Sequence, residues 1–255
     1  MLQRGRQRKY LNKHWNAIQR HLSQYLATKN TEELHRLRLE LKRISAYYFL
    51  LHHCAKRKVK LDITPVKYVF KVTGRIRTSQ TNLALADLYQ VSDDTFRQKQ
   101  AIVSAIETYE LSTGGFNFIF KKTKAECVKA ATDIGNRGLL KFFAQELNAI
   151  SEILTTEWDV TTFHAIRKRI KRLLYIHEIL NKSLVRALHV NTAYLDYFQE
   201  VVGEWHDTHT AMKTIISTTT VDSNNLSLMQ DRLNQLTDVI LDLSNDFLSK
   251  AGVKT

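Results

Sequence analysis

Leu34-His35-Arg36-Leu37-Arg38-Leu39-Glu40-Leu41-Lys42-Arg43 decides how this chain is read, because it occurs twice. Its second form is Phe163-His164-Ala165-Ile166-Arg167-Lys168-Arg169-Ile170-Lys171-Arg172. Each copy reads an aromatic or aliphatic residue, His, then Arg at +3, Lys at +7 and Arg at +8, and His35 and His164 stand 129 residues apart. On an α-helix turning about 100° per residue, with His at 0°, the +3 Arg falls near about −60°, the +7 Lys near about −20° and the +8 Arg near about +80°. Lys168 adds a cation near about +40° in the second copy. Leu37, Leu41, Ile44, Tyr48 and Leu51 gather between about 160° and 240°, as do Ile166, Ile170, Leu173 and Leu180. Each helix therefore carries a core stripe on one side and a His/Arg/Lys stripe on the other. Two such stripes make an anion-binding surface the leading functional reading.

A chain of 255 residues is long enough to bury a sound core. It holds one Pro and eight Gly. Long helices tolerate so few breakers, whereas a sheet protein with many tight turns does not, so the fold class is all-α. Lys and Arg number 38 against 25 Asp and Glu, a net charge of +13. Such an excess favours polyanions: nucleic acid, an anionic membrane surface or polymeric phosphate. Cys54 and Cys127 have no metal-knuckle spacing and are expected as buried thiols in a reducing compartment. MLQRGRQRKYLNKHW is basic without an apolar stretch, so no secretory signal is expected, and no run approaches the length of a membrane span. The expected location is the cytoplasm.

Residues 1–9 read as a frayed basic tail. Helical periodicity then predicts helices near about 10–28, 32–54, 65–90 and 94–112, with Thr31, Asp62 or Thr64, and Asp93 or Asp94 as caps and Pro65 in a first turn. Lys56-Arg57-Lys58 suits a helix C-terminus. Ser112-Thr113-Gly114-Gly115 breaks the pattern, and a Lys-rich connector over 113–136, docked by Phe116, Phe118, Ile119 and Phe120, joins the halves. Helices are expected again near about 137–154, 160–182, 188–218 and 226–250, capped at the second motif by Asp159 and Thr161 or Thr162, with Ser223-Asn224-Asn225 breaking before the last. This divides the chain into four-helix bundles at 10–112 and 137–255.

The repeat extends beyond the motifs. Tyr68, Val69, Val72, Gly74, Ile76 and Arg77 correspond, at the same offset of 129, to Tyr197, Phe198, Val201, Gly203, Trp205 and His206. Two separate segments in one register point to an internal duplication, with two pseudo-symmetric four-helix bundles as its natural form.

With the paired H-x-x-R-x-x-x-K-R helices and the glycine segment in place, the chain resembles the CHAD family (conserved histidine α-helical domain) over about residues 8 to 250. The resemblance implies two four-helix bundles about a pseudo-two-fold axis and a basic groove between them that binds inorganic polyphosphate. It places the binding motif on His35, Arg38, Lys42 and Arg43, and on His164, Arg167, Lys168, Lys171 and Arg172. Ser45 and Leu174 stand where members commonly carry a further Arg, and Thr78 where the glycine segment usually has Asp, so the stripe is thinner than typical. Asp207 keeps that acid in the second half, and Arg77, His206 and Asp207 form an expected supporting layer. Polyphosphate granules are the location such a ligand implies.

Arg forks and mobile Lys charges, one helical turn apart, suit a linear row of phosphate oxygens. His35 and His164 can donate to the same oxygens. Two other readings compete. A nucleic-acid binder would use the same charge non-specifically, without a helix-turn-helix or RNP motif in the sequence. A metal-dependent phosphohydrolase would need clustered carboxylates or a P-loop, and Glu40, Glu178 and Asp207 read instead as single ion-pair partners of the cations. His206-Asp207-Thr208-His209 invites the metal question, but the first half has Arg77 and Gln80 at the His positions. The reading is therefore a non-enzymatic binder needing neither cofactor nor metal, and no membrane.

Overall fold

A computed structural model describes residues 1–55, 61–89, 93–155, 159–218 and 223–252. Lys56-Arg57-Lys58 lies outside the described residues. Among those described there are eleven α-helices and no strand: α1 (Arg4–Thr28), α2 (Thr31–Cys54), α3 (Thr64–Leu88), α4 (Asp94–Thr113), α5 (Phe116–Ala130), α6 (Asn136–Leu154), α7 (Val160–Ile179), α8 (Lys182–Leu188), α9 (Thr192–Thr218), α10 (Ser223–Ser244) and α11 (Phe247–Lys250). The protein is all-α.

Several helix starts are fixed by side chains that accept the orphan amides of a first turn. Asp62 accepts from the Thr64 amide at 2.9 Å, Asp93 from Phe96 at 2.8 Å and Asp159 from Thr162 at 2.7 Å. At α2 the cap is Asn30, one residue earlier than expected, accepting from Glu32 at 2.8 Å.

The described residues differ from the expectation at five further places. Residues 1–9 are not a frayed tail: α1 begins at Arg4, Leu2 is fully buried, and buried Gln7 donates to the Leu2 and Thr132 carbonyls. Arg6 ties the same turn to the Ile179 and Leu180 carbonyls at 2.5 and 2.7 Å. The stretch 113–136, expected as a connector, contains α5, which buries Phe116, Phe120 and Cys127 on one side. The helix expected over 188–218 begins only at Thr192, after the unexpected short α8 that left-handed His189 (φ 52°) closes, and the last is broken by Asp246 in the same conformation. Ser223-Asn224-Asn225, expected as a break, forms the first turn of α10.

The chain makes two compact units, each gathered from non-consecutive stretches. The first comprises Met1–Arg77, Glu107–Glu146 and Arg172–Val190. Its core sets Leu11, Trp15, Ile18 and Leu22 of α1 with Leu34, Leu37, Leu41 and Ile44 of α2, and Phe120 meets the Trp15 ring edge-on at 5.5 Å. The second comprises Thr78–Ile106, Leu147–Lys171 and Asn191–Thr255. There Ala86, Phe96, Ala211, Ile215 and Met229 are buried together, and Phe163 packs on Trp205 at 4.6 Å. No helix among the described residues is long and apolar enough to cross a membrane.

Candidate anion-binding site

In the first unit α2 buries Leu34, Leu37, Leu41 and Ile44. The same turns carry exposed His35 and half-buried Arg38 and Lys42. The Arg38 guanidinium lies across α3. It donates through Nη1 to the Phe70 carbonyl at 2.8 Å and to Thr73 Oγ1 at 3.1 Å, with its carbon 4.4 Å from the centre of the Phe70 ring. Lys42 Nζ stands 6.0 Å from the same ring centre. Gly74 leaves room for this crossing, since a Cβ there would meet Arg38 Nη1 tightly, at 3.2 Å.

The second unit repeats the arrangement within α7 and α9. Phe163, Ile166 and Ile170 are buried, His164 and Lys168 exposed, Arg167 and Lys171 half-buried. Arg167 Nε donates to the Gln199 carbonyl at 3.3 Å. A Cβ on Gly203 would lie 2.6 Å from Arg167 Nε and Nη2. Gln199 is 129 residues beyond Phe70, as Gly203 is beyond Gly74. In both units, then, the motif Arg crosses a glycine and is tied to the carbonyl four residues before it. The sequence placed the glycines without their purpose. The carbonyls of Phe70 and Gln199, and Thr73, were missed, although the register of the repeat could have found them.

A guanidinium held this way has one edge tied to backbone. Lys171 senses its neighbour. Burial, then the positive Arg167, push its ammonium down to about 8, against the pull of Asp207, Asp196 and Glu200.

Arg43 and Arg172 behave differently, and both lie in the first unit. Arg43 bonds Glu178 at 2.8 and 3.1 Å and Glu40 at 2.9 Å, over the Tyr175 ring. Arg172 pairs with Glu146 at 3.3 Å and stacks 3.5 Å from the Phe49 ring centre. Glu178 is the 129-offset counterpart of Phe49, so each of these arginines reaches the helix that carries the other. At about +80° the +8 position points off the flank of the cation row, and tertiary neighbours take it up. Their charge is already offset by carboxylates. Glu40 and Glu178 are ion-pair partners, as read from the sequence.

Of the supporting layer, the His206 ring lies 5.4 Å from His164, and Asp207 acts on Lys171. Arg77 is exposed on α3, three residues past Gly74. His206 Nδ1 is 3.4 Å from Asp207 Oδ1, while His209 stacks on Trp205 at 5.0 Å. Among the described residues no three His, Cys, Asp or Glu gather as a metal site.

Two outcomes follow from this geometry. An amine attracts an anion only when protonated, so if Lys171 meets the ligand, affinity for a polyanion is expected to fall as pH rises from 7 to 9, and Lys171→Ala to flatten that profile. The sign for stability is opposite. The folded state holds fewer protons than the unfolded one between about 8 and the ordinary value of 10.5, so the penalty of the buried ammonium is full below about 8 and disappears as pH rises. Isothermal titration at pH 7, 8 and 9 measures the first effect. Gly203→Ala is expected to keep or raise the melting temperature, since Ala favours a helix by about 0.5–1 kcal/mol. It also displaces the Arg167 guanidinium, so anion affinity should drop several-fold; unchanged affinity would show that the crossing does not position this arginine.

Comparison with known families matches the profile of the CHAD domain over residues 9–215. Among solved structures the chain is similar to the CHAD domain from the plant Ricinus communis, with a TM-score of 0.68 and 17% identity, over 99% of this chain and 92% of that one. At that identity the likeness concerns the fold. No curated protein matches the chain.

Proposed function

The chain belongs to the CHAD domain family, and from that premise we propose that it binds inorganic polyphosphate and leaves the polymer chemically unchanged. One observation carries the reading: a motif Arg in each unit is drawn across a helix glycine and tied there by a backbone carbonyl. The ligand-contacting set is His35, Arg38 and Lys42 with His164, Arg167, Lys168 and Lys171. Arg43 and Arg172 stiffen the helices beneath it. Each charge-assisted bond to a phosphate oxygen nets about 1.5–3 kcal/mol, and several acting together give tight binding without deep burial. A repeating polyanion can satisfy cations spaced one turn apart, where a single phosphate meets only one of them.

Competition tests the reading against the nucleic-acid alternative. Long-chain polyphosphate is expected to stay bound at moderate salt against duplex DNA at equal phosphate concentration, with log affinity falling linearly in log salt by counterion release. Displacement by the duplex at equal phosphate would overturn specific binding. Phosphate release with Mg²⁺ or Mn²⁺, lost in Asp207→Ala, would overturn the non-enzymatic assignment. A cytoplasmic location at polyphosphate granules belongs to the same proposal.

A further inference from the structure

Away from the motif residues, α1 and α5 of the first unit flank an open cleft of about 580 Å³. Arg8 and Asn12 line it from α1, and Lys121, Lys124, Val128 and Lys129 from α5. That volume is in the range of small-ligand sites, about 300–1,000 Å³. Apolar Val128 and Ala125 line it together with the four cations Arg8, Lys121, Lys124 and Lys129. Lys124 donates to Asn16 Oδ1 at 2.8 Å, which fixes one ammonium on the α1 row of residues 8, 12 and 16. Arg8 Nε is buried without a hydrogen-bond partner. Among the described residues none of the four cations forms an ion pair with a carboxylate. Four like charges and a buried unpaired donor cost stability unless an anion accepts from them. The sequence hid this cleft, because Arg8 was read as part of a tail and the α5 wall as a connector.

We propose that the cleft is a separate anion site for a short run of phosphate groups, the chemistry shared by inorganic tripolyphosphate and the tail of a nucleoside triphosphate. Several adjacent cations ask for a multiply charged ligand, and the cleft's size asks for a compact one. No motif residue lines it, so the site stands apart from the proposed polyphosphate rows.

Calorimetric titration of the full chain with tripolyphosphate, ATP and adenosine tests this in an Arg38→Gln, Arg167→Gln background. That background disables the motif rows, so failure of the polyphosphate reading is scored separately, on the long polymer. Tripolyphosphate is expected to bind still. Lys121→Glu with Lys129→Glu, both exposed positions, should weaken that binding at least tenfold, while Lys182→Glu with Arg186→Glu on α8 should change it less than twofold. ATP tighter than tripolyphosphate, with adenosine silent, would support a nucleotide source, with the base against apolar Val128; equal or weaker ATP would support an inorganic one. No tripolyphosphate binding in this background, or equal loss from both charge-reversed pairs, would overturn the site.

Discussion

Replacing Arg38 and Arg167 together by Gln is expected to lower polyphosphate affinity about 10²–10⁴-fold while far-UV circular dichroism stays unchanged. Losing two charge-assisted contacts removes about 3–6 kcal/mol, which gives that range. Gln is the informative replacement because its amide can still donate to the Phe70 and Gln199 carbonyls that the arginines now hold at 2.8 and 3.3 Å. A carboxylate would instead face those carbonyls, mixing loss of binding with loss of packing. If the folded double variant binds polyphosphate within threefold of the parent, the two arginines are structural braces and the rows do not carry the ligand.

The second large effect follows from an inequality between the repeats. Asp196 and Glu200 on α9 act on Lys171 in the second unit. Their counterparts 129 residues earlier on α3 are Lys67 and Lys71, both exposed. The first unit therefore has cations where the second has counter-charges, and it should bind polyanion the more strongly. Lys67→Glu with Lys71→Glu is expected to weaken polyphosphate binding about tenfold or more at low salt, from a four-unit change of charge beside the row. Asp196→Asn with Glu200→Lys should strengthen it about tenfold. Asn keeps the oxygen that accepts from Gln199 at 2.9 Å, so the second swap spares that contact. It should also push the Lys171 ammonium further down, since two groups that raise it are removed. Equal and small effects from both swaps would show that these helix faces lie away from the ligand.

Helix content was legible because one Pro and eight Gly leave little else, and because the core leucines and isoleucines keep the 3.6 period. Caps such as Asp93 and Asp159 announce themselves locally. What was not legible depends on distant partners. Residues 1–9 look like a solvated tail until Leu2 pairs with Ile134 and Arg6 meets the Ile179 and Leu180 carbonyls. The breaks at His189 and Asp246 use left-handed residues that carry no glycine signal. In the site, the repeat named the cations, yet Glu146 and Glu178, which occupy Arg172 and Arg43, are far from them or on another helix. Spacing alone could not separate the cations braced by acids from those carried over the glycines.

A crystal structure of the protein with a short polyphosphate of defined length is the most direct test. The account predicts phosphate oxygens within about 3 Å of Arg38 and Lys42, or of Arg167 and Lys171, with both guanidinium crossings intact. An ordered polymer touching none of those four side chains would contradict it.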